Sequence, residues 1–303
     1  MSLRYRTAAL IGAATVSLCL LTACGGSGES NAADPTETAV ELLPVDEAIA
    51  ATVPQSIKNK GTLVFATDAT APPNQSIAED GKTIVGNEVD LGNQIASVLG
   101  LRAEFVNVSF DTIIPGLQAG RYDAGLSGFR DTKEREEVVD FVTYAKAGPQ
   151  LFAKKEDEDK ITTLDQLCGH SFAGQSGTVQ EEVANEQDSK CTDAGQAPVE
   201  VKVFKNQADQ VQAVASGQVE VGAQNSPNNV YLAEQTDNAM VGIGEPFAEG
   251  PWGMPVPKTT GFTEPLHAAT AKLLASPQYQ QILDKWGVQS QGVTESVING
   301  AVS

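Results

Sequence analysis

The chain has 303 residues, of which 41% are hydrophobic and 6% aromatic, and its formal net charge is −19 at pH 7. This acidity argues against a nucleic-acid-binding protein, because such proteins carry basic patches. Acidity otherwise bears on solubility rather than on fold or ligand. The two histidines lie far apart and no C-x-x-C or H-x-x-x-H spacing occurs, so the sequence predicts no metal site. We also expect no cofactor, since there is no phosphate-binding loop.

The first 23 residues are typical of a lipoprotein signal peptide. Arg4 and Arg6 precede an apolar run at 8–21, which is shorter than the ~20 residues that span a bilayer. The run ends in LTACG at 21–25, so Cys24 would become the lipidated first residue; ordinary secretion with a structural thiol is the alternative. Removing 23 residues leaves 303 − 23 = 280, with a net charge of 18 − 39 = −21. Residues 24–60 are predicted to form a flexible tether, because 25–53 lack periodicity.

The first half of the remaining chain alternates between strand and helix patterns. These predict a strand at 63–66, a helix at 89–99, a strand at 103–108, a helix at 112–119 and a strand at 122–126. Gly100 and Gly120 follow the two helices as C-terminal signals. Asp131 or Thr132 then begins another helix as its N-cap.

The alternation restarts after residue 152. It predicts strands at 171–174, 199–203, 219–223 and 240–243, and helices at 179–186, 208–216 and 227–235. Two βαβαβ runs predict two α/β units with parallel sheets. Residues 265–286 are predicted to be helical, with a break near Pro277.

Arg135 falls in the first turn of the helix that Asp131 or Thr132 begins. A cation there is unusual, because the positive end of the helix dipole disfavours it. Its position is a mild indication of a bound anion. The alternative, from the residues alone, is that Arg135 pairs with Asp131 or Glu136 on a solvated face, as most surface charges do.

Residues 111–141, DTIIPGLQAGRYDAGLSGFRDTKEREEVVDF, resemble the amino-acid-binding class, family 3, of ABC-transporter substrate-binding proteins. The resemblance covers about 61–287. It implies an α/β, two-lobed periplasmic-binding-protein-like (type II) fold, with two parallel-core sheets joined by two crossover strands. Lobe 1 would comprise 61–148 plus 252–290, lobe 2 would comprise 149–251, and 291–303 would form a C-terminal tail. Ligands of open α/β sheets bind beyond the carboxyl ends of the strands, so two facing edges would make a cleft.

The resemblance also implies the ligand contacts. Arg135 would grip a ligand carboxylate, and the turn at 176–179, at a helix N-terminus, would meet the same carboxylate from the other lobe. Each of three residues has a structural alternative. Thr178 could equally be a plain N-cap, and Asp68 could be a turn aspartate rather than a contact to the ligand's side chain or ammonium. Phe110 could be a core residue rather than a stacking partner of the ligand. The full set of expected ligand-binding residues is Asp68, Ala71, Phe110, Gly128, Phe129, Arg130, Arg135, Gln175, Gly177, Thr178, Val179 and Asn225. Glu88 and Asp90 are interpreted as caps of the helix at 89–99.

Three positions depart from the family pattern. Ala71 replaces an aromatic residue and enlarges the pocket, while Arg130 replaces a small Ser or Thr and could face the cleft as a second cation. Asn225 replaces the aspartate that binds the ligand's α-ammonium, and so supplies no charge. We therefore expect a ligand with at least one carboxylate, either without a standard α-amino group or with a second acidic group. Trp252 would either border the cleft or serve in packing.

Cys168 and Cys191 are expected to form a disulfide, because disulfides persist outside the cytosol. Two free thiols are the alternative. The resemblance implies a monomeric protein on the extracytoplasmic face of the cell membrane, held only by the lipid on Cys24, that delivers its ligand to the transmembrane subunits of an ABC permease. A sensor that signals to a membrane receptor is one alternative. An enzyme similar to cyclohexadienyl dehydratases is another, and Glu88 and Asp68 are its only candidate acids.

Overall fold

The computed structural model describes residues 40–302, so the predicted signal peptide and Cys24 lie outside the described residues. Its helices are α1 (Glu47–Thr52), α2 (Gln55–Lys60), α3 (Asn87–Val98), α4 (Ile113–Gln118), α5 (Lys133–Glu136), α6 (Val179–Asp193), α7 (Gln207–Ala215), α8 (Ser226–Gln235), α9 (Thr263–Leu274) and α10 (Pro277–Lys285). Its strands are β1 (Thr62–Thr67), β2 (Thr70–Ala71), β3 (Gln75–Ile77), β4 (Ile84–Val85), β5 (Arg102–Asn107), β6 (Ala124–Gly125), β7 (Asp140–Ala147), β8 (Pro149–Lys154), β9 (Ser171–Gln175), β10 (Glu200–Phe204), β11 (Val221–Asn225), β12 (Met240–Ile243) and β13 (Gly250–Val256). Within this part of the chain, no helix is both long enough and apolar enough to cross a bilayer.

The first lobe is built on a parallel sheet of strand order β5-β1-β6. Helix α3 connects β1 to β5, and α4 connects β5 to β6, so the predicted βαβαβ run is confirmed here. Leu63 and Phe65 of β1 are fully buried in the same core as Ile95 of α3, which explains why both elements carry apolar residues at these spacings. Gly120, at a positive φ of 68°, ends α4 as predicted.

The second lobe is built on a five-stranded sheet of order β10-β9-β11-β8-β12. Its core, β10-β9-β11, is parallel as predicted. Strand β8 lies antiparallel between β11 and β12, beside the parallel core. The reason is the chain path: β8 enters directly from the first lobe, without the crossover helix that would reverse its direction.

Two strands run between the lobes. Strands β7 and β13 pair antiparallel, with Gly250 opposite Ala147 where the two strands leave the first lobe. Gly148 packs against Glu249 so closely that an added Cβ would lie 2.6 Å from the Glu249 side chain, so only glycine fits this crossing. The two lobes and two crossovers are therefore as predicted; the lobe limits at 148/149 and 251/252 remain predictions.

The predicted flexible tether is wrong for residues 40–60. Leu43, Val53 and Ile57 are buried in the core of the first lobe. Asp46 caps α1 and forms a 2.5 Å ion pair with Lys272 of α9. Val40 and Ile49 pack against the same core, so the apolar residues of this segment dock it on the first lobe.

The end of the chain also packs on the first lobe. Ile298 pairs with Val142 of β7, and Gly300 N–H donates to the Asp131 carboxylate at 2.7 Å. Burial raises the pKa of Asp131 to about 7. In the second lobe, Cys168 and Cys191 are joined in a disulfide, which confirms the predicted bridge and excludes two free thiols.

Candidate functional site

A cavity lies between the lobes, where the carboxyl ends of both parallel sheets meet. Strand β1 leads to Asp68 and β6 to Gly128 on one side, while β9 ends at Gln175 and β11 at Asn225 on the other. The space among these residues, counted together with its opening to solvent, amounts to about 590 Å³. This is the position in which open α/β sheets hold their ligands.

Most of the predicted ligand-binding residues line this cavity. They are Asp68, Ala71, Phe110, Gly128, Arg130, Arg135, Gln175, Thr178, Val179 and Asn225. Sequence analysis missed a further group of lining residues, most of them neutral and polar: Asn74, Gln75, Ser127, Ala147, Pro149, Gln180 and Gln207. Gln180 and Gln207 stand at the starts of helices that follow sheet strands, so the rule about strand carboxyl ends could have found them.

Arg135 reaches from the first lobe to the second. Thr132 caps α5 by accepting from Arg135 N–H, and the guanidinium donates to Arg130 O at 2.8 Å and to Gly177 O at 2.9 Å. It lies 5.7 Å from the centre of the Phe129 ring. Burial lowers the pKa of Arg135 below its ordinary value.

The alternative that Arg135 belongs to a surface ion pair is wrong. Within residues 40–302, no carboxylate oxygen lies within 4.0 Å of its guanidinium. Glu136 pairs instead with Lys133 at 2.9 Å. Arg135 is thus a partly buried cation that faces a cavity without a protein counter-ion.

Phe129 and Gly177 were predicted ligand contacts but do not line the cavity. Phe129 is buried and stacks on Phe110 with ring centres 4.2 Å apart, so it supports the cavity from below. Gly177 is exposed; its carbonyl accepts from Arg135. Phe110 is a core residue that also lines the cavity, and its stacking on a ligand remains a prediction.

The turn at 176–179 differs from the expected set of free N–H groups. Gly177 N–H donates to the Glu181 carboxylate at 2.8 Å, Ser176 N–H to Phe204 O at 2.8 Å and Thr178 N–H to Gln175 O at 3.3 Å. Thr178 is the N-cap of α6, and its hydroxyl accepts from Glu181 N–H at 3.3 Å. A side-chain carboxylate from the first turn of α6 therefore occupies the anion position at Gly177, which sequence spacing alone did not reveal.

Asp68 is 3% exposed and already has partners. One carboxylate oxygen accepts from the Thr70 hydroxyl at 2.8 Å and the other from the Gln175 amide at 2.5 Å. Burial raises the pKa of Asp68. Asn225 is similarly engaged, because its side-chain oxygen accepts from the Gln180 amide at 3.1 Å.

Hydrogen bonds join the two lobes across the cavity. Gln207 N–H donates to the Thr70 hydroxyl at 3.1 Å, and the Asn228 amide donates to Ala71 O at 3.1 Å and Pro72 O at 2.8 Å. The Gln175 amide also donates across the cavity to Asp68, and the Arg135 guanidinium donates in the opposite direction to Gly177 O. The structure is therefore a closed arrangement of the lobes.

Arg130 and Trp252 both border the cavity. The Arg130 guanidinium donates to Ala248 O and lies against the backbone of Gly250. Trp252 is 1% exposed and pairs with Arg130 through the backbone, so it serves packing and the cavity wall together. Burial lowers the pKa of Arg130.

The prediction that Glu88 caps α3 is wrong, because the N-cap is Gly86 and no side chain bonds to the start of the helix. Glu88 lies buried beneath the cavity, where one oxygen accepts from Gly128 N–H at 2.9 Å and from the Tyr144 hydroxyl at 2.5 Å. Its other oxygen has no partner within the described residues. Burial raises the pKa of Glu88 to about 7. Asp90 likewise makes no cap and accepts from Lys285 and Trp286.

In residues 40–302, no three His, Cys, Asp or Glu side chains are arranged to hold a metal ion. A family model, described as bacterial extracellular solute-binding proteins, family 3, matches residues 63–289. An arginine-binding protein of Corynebacterium glutamicum is 30% identical over 257 residues, which is 84% of each chain.

Two solved structures have the same fold. An ancestral arginine-binding protein bound to arginine is 34% identical, with a TM-score of 0.68 over 75% of this chain and 98% of that one. An ancestral amino-acid-binding protein, a precursor of cyclohexadienyl dehydratase, is 30% identical, with a TM-score of 0.68 over 76% of this chain and 97% of that one. The family model spans most of the chain and both structures share its two-lobed fold; the protein belongs to the bacterial extracellular solute-binding proteins of family 3.

Proposed function

We propose that this protein binds an amino acid or a related small carboxylate between its lobes and delivers it to an ABC permease. One observation carries the proposal: the Arg135 guanidinium lines the cavity between the lobes and, within the described residues, has no carboxylate within 4.0 Å. A partly buried charge without a partner is costly, so an anionic ligand would supply the missing counter-ion. Relatives that bind amino acids support this choice of ligand.

Lobe closure is the proposed mechanism. A ligand in this cavity would touch both lobes only in the closed form, and would therefore favour that form. Shifting a 1:99 equilibrium to 99:1 requires ~5.5 kcal/mol of differential binding. A few hydrogen bonds to charged groups, at ~1.5–3 kcal/mol each, are sufficient. The inter-lobe bonds from Gln207 and Asn228 would add to the closed form's stability.

A thermal-shift screen and calorimetry would test the proposal. The protein would be the chain from residue 24 with Cys24→Ser, because residues 40–60 belong to the folded core. Standard amino acids and small acids form the panel. A ligand at a hundred times its Kd stabilises by ~2.7 kcal/mol, which raises the Tm by several degrees.

Arg135→Gln should abolish that shift, whereas Arg102→Gln, which removes an exposed arginine on β5, should leave it unchanged. Circular dichroism of the ligand-free variants would verify that both are folded. Binding that survives in Arg135→Gln would refute the carboxylate clamp.

The membrane anchor is a separate part of the proposal. Lipidation of Cys24 with at least two chains would hold the protein at the extracytoplasmic surface, since one chain binds only marginally. Mass spectrometry of the mature protein should detect the lipid, and Cys24→Ser should release the protein from the membrane fraction. A stable membrane association of Cys24→Ser would contradict this anchor.

An enzymatic role has less support. Glu88 does not line the cavity, and both carboxylate oxygens of Asp68 already accept hydrogen bonds. Uptake of labelled ligand, lost on deletion of the protein and restored by its return, would separate delivery to a permease from signalling to a receptor.

A further inference from the structure

Two arginines line the same cavity without protein counter-ions. Within residues 40–302, neither Arg130 nor Arg135 has a carboxylate oxygen within 4.0 Å. The acids whose charges reach Arg130 are Asp131 and Glu249, and those whose charges reach Arg135 are Glu182, Glu134 and Asp131; none of them lines the cavity. Removing a charged side chain from water is costly unless an opposite charge pairs with it. The two arginines therefore leave the cavity short of negative charge.

Most of the hydrogen-bond donors of the two arginines are also unused. A guanidinium has five N–H donors. In the described part of the chain, the Arg130 side chain makes one hydrogen bond, to Ala248 O, and the Arg135 side chain makes two, to Arg130 O and Gly177 O. Each guanidinium therefore retains donors for a carboxylate, which it can bind through two parallel bonds.

The Arg130 guanidinium has a defined position at the cavity wall. It lies against the backbone of Gly250 on β13, in the space that any larger side chain at 250 would fill. The carbonyl of Ala248 holds the same group. These two backbone contacts hold the partly exposed Arg130 side chain at the cavity wall.

The cavity offers little to a cationic ligand group. Asp68 is its only acidic lining residue among those described, and its two oxygens accept from Thr70 and Gln175. The side-chain oxygen of Asn225 accepts from Gln180. The other polar lining groups that distinguish this cavity, such as Gln75 and Gln207, are neutral amides. A ligand with a positively charged side chain would meet two guanidinium groups and a single carboxylate, that of Asp68, which Thr70 and Gln175 already engage.

We propose that the ligand is a small dicarboxylic acid, with one carboxylate on Arg135 and the second on Arg130. This inference rests on the proposed function, since it takes the cavity to be a ligand site, and it narrows the ligand class. It also separates this protein from the arginine-binding relative, because the second cation would repel an arginine side chain.

Calorimetry with matched pairs of compounds tests the inference. Succinate, glutarate, L-aspartate, L-glutamate and N-acetyl-L-glutamate would be compared with succinamate, glutaramate, L-asparagine and L-glutamine, and with L-arginine. We expect at least one diacid to bind about tenfold or more tightly than its mono-amide, since bonds between charged groups are about twice as strong as neutral ones. Arg130→Gln should reduce that preference to about onefold, because it weakens the binding of the diacid and leaves the binding of the mono-amide nearly unchanged. Arg102→Gln is the matched control and should preserve the preference.

The outcomes separate the two proposals. If no diacid binds, if a mono-amide or arginine binds at least as tightly, or if Arg130→Gln retains the preference, the inference is overturned. If in that case a monocarboxylate binds and Arg135→Gln abolishes its binding, the proposed function still stands. If nothing in either panel binds to folded protein, both fail. A preserved Tm and circular dichroism spectrum in Arg130→Gln would show that a lost preference reflects binding and not unfolding.

Discussion

Replacing Glu88 with glutamine should make the protein's stability less dependent on pH. Burial raises the pKa of Glu88 from 4.5 to about 7, and within the described residues one of its oxygens has no hydrogen-bond partner. Glutamine has the same shape and keeps an oxygen for Gly128 N–H and the Tyr144 hydroxyl. The variant removes only the group that titrates.

The sign and the size of the pH effect on stability follow from the pKa of Glu88. Below pH 4.5, Glu88 is protonated in both the folded and the unfolded chain. Between pH 4.5 and 7 the folded protein keeps a proton that the unfolded chain loses, so the folded state becomes less stable as pH rises, and the loss is complete above pH 7. At about 1.4 kcal/mol for each tenfold change in proton affinity, the interval from 4.5 to about 7 amounts to roughly 3 kcal/mol.

Urea denaturation of the ligand-free protein from pH 4 to pH 8, followed by tryptophan fluorescence, measures this effect. The free energy of unfolding of Glu88→Gln, minus that of the wild type, should rise by roughly 3 kcal/mol across the range. An unpaired amide at residue 88 adds a constant offset, and Asp131, whose pKa is also raised to about 7, titrates in both proteins, so neither alters this difference. Glu104→Gln, an exposed change on β5, is the control. A difference that stays constant with pH would refute the reasoning.

Three further predictions concern the cavity and the bridge. Asn225→Asp would place a negative charge among the cavity-lining residues, and should weaken diacid binding by about tenfold or more in calorimetry; tighter binding would instead indicate a ligand whose ammonium lies at residue 225. Gly250→Ala should displace the Arg130 guanidinium from its position beside Gly250 and lower the diacid preference by about tenfold, with a change in Tm of only a few degrees. An unaltered preference would mean that the contact with Gly250 does not position Arg130. Replacing Cys168 and Cys191 with serine opens a loop of 191 − 168 + 1 = 24 residues, and should lower the free energy of unfolding by about 3 kcal/mol in urea titrations; an equally stable variant would contradict the loop-entropy estimate.

Local sequence signals identified most of the secondary structure. Helical spacing and terminal glycines located α3 and α4, and the Thr132 cap located the helix that carries Arg135. These signals worked because the spacing of apolar residues and the caps of helices depend on neighbours within a few positions in the chain. Periodicity did not indicate the docking of residues 40–60, because Leu43 precedes α1 and Ile57 lies in the separate short helix α2, so the buried residues follow no single period.

The candidate site was predictable to the extent that strand ends were. Asp68, Gln175 and Asn225 follow from the rule that ligands bind beyond the carboxyl ends of parallel strands, together with the family resemblance. Gln75, which also lines the cavity, lies in the short strand β3 outside the parallel sheets, and neither spacing nor resemblance indicated it.

By itself, the sequence determined the α/β class, the order of the strands and helices around the two parallel cores, and the position of Arg135 at a helix start. Only the tertiary structure decided the reversed direction of β8, the hydrogen bond from Gly177 N–H to Glu181, and the contact between the Arg130 guanidinium and Gly250. The physical reason is range. Element type depends on neighbouring residues, whereas strand direction and side-chain partners depend on how distant parts of the chain meet. Arg130 and Gly250 are adjacent because the backbone at Arg130 pairs with Trp252 of β13, and no local pattern encodes that contact.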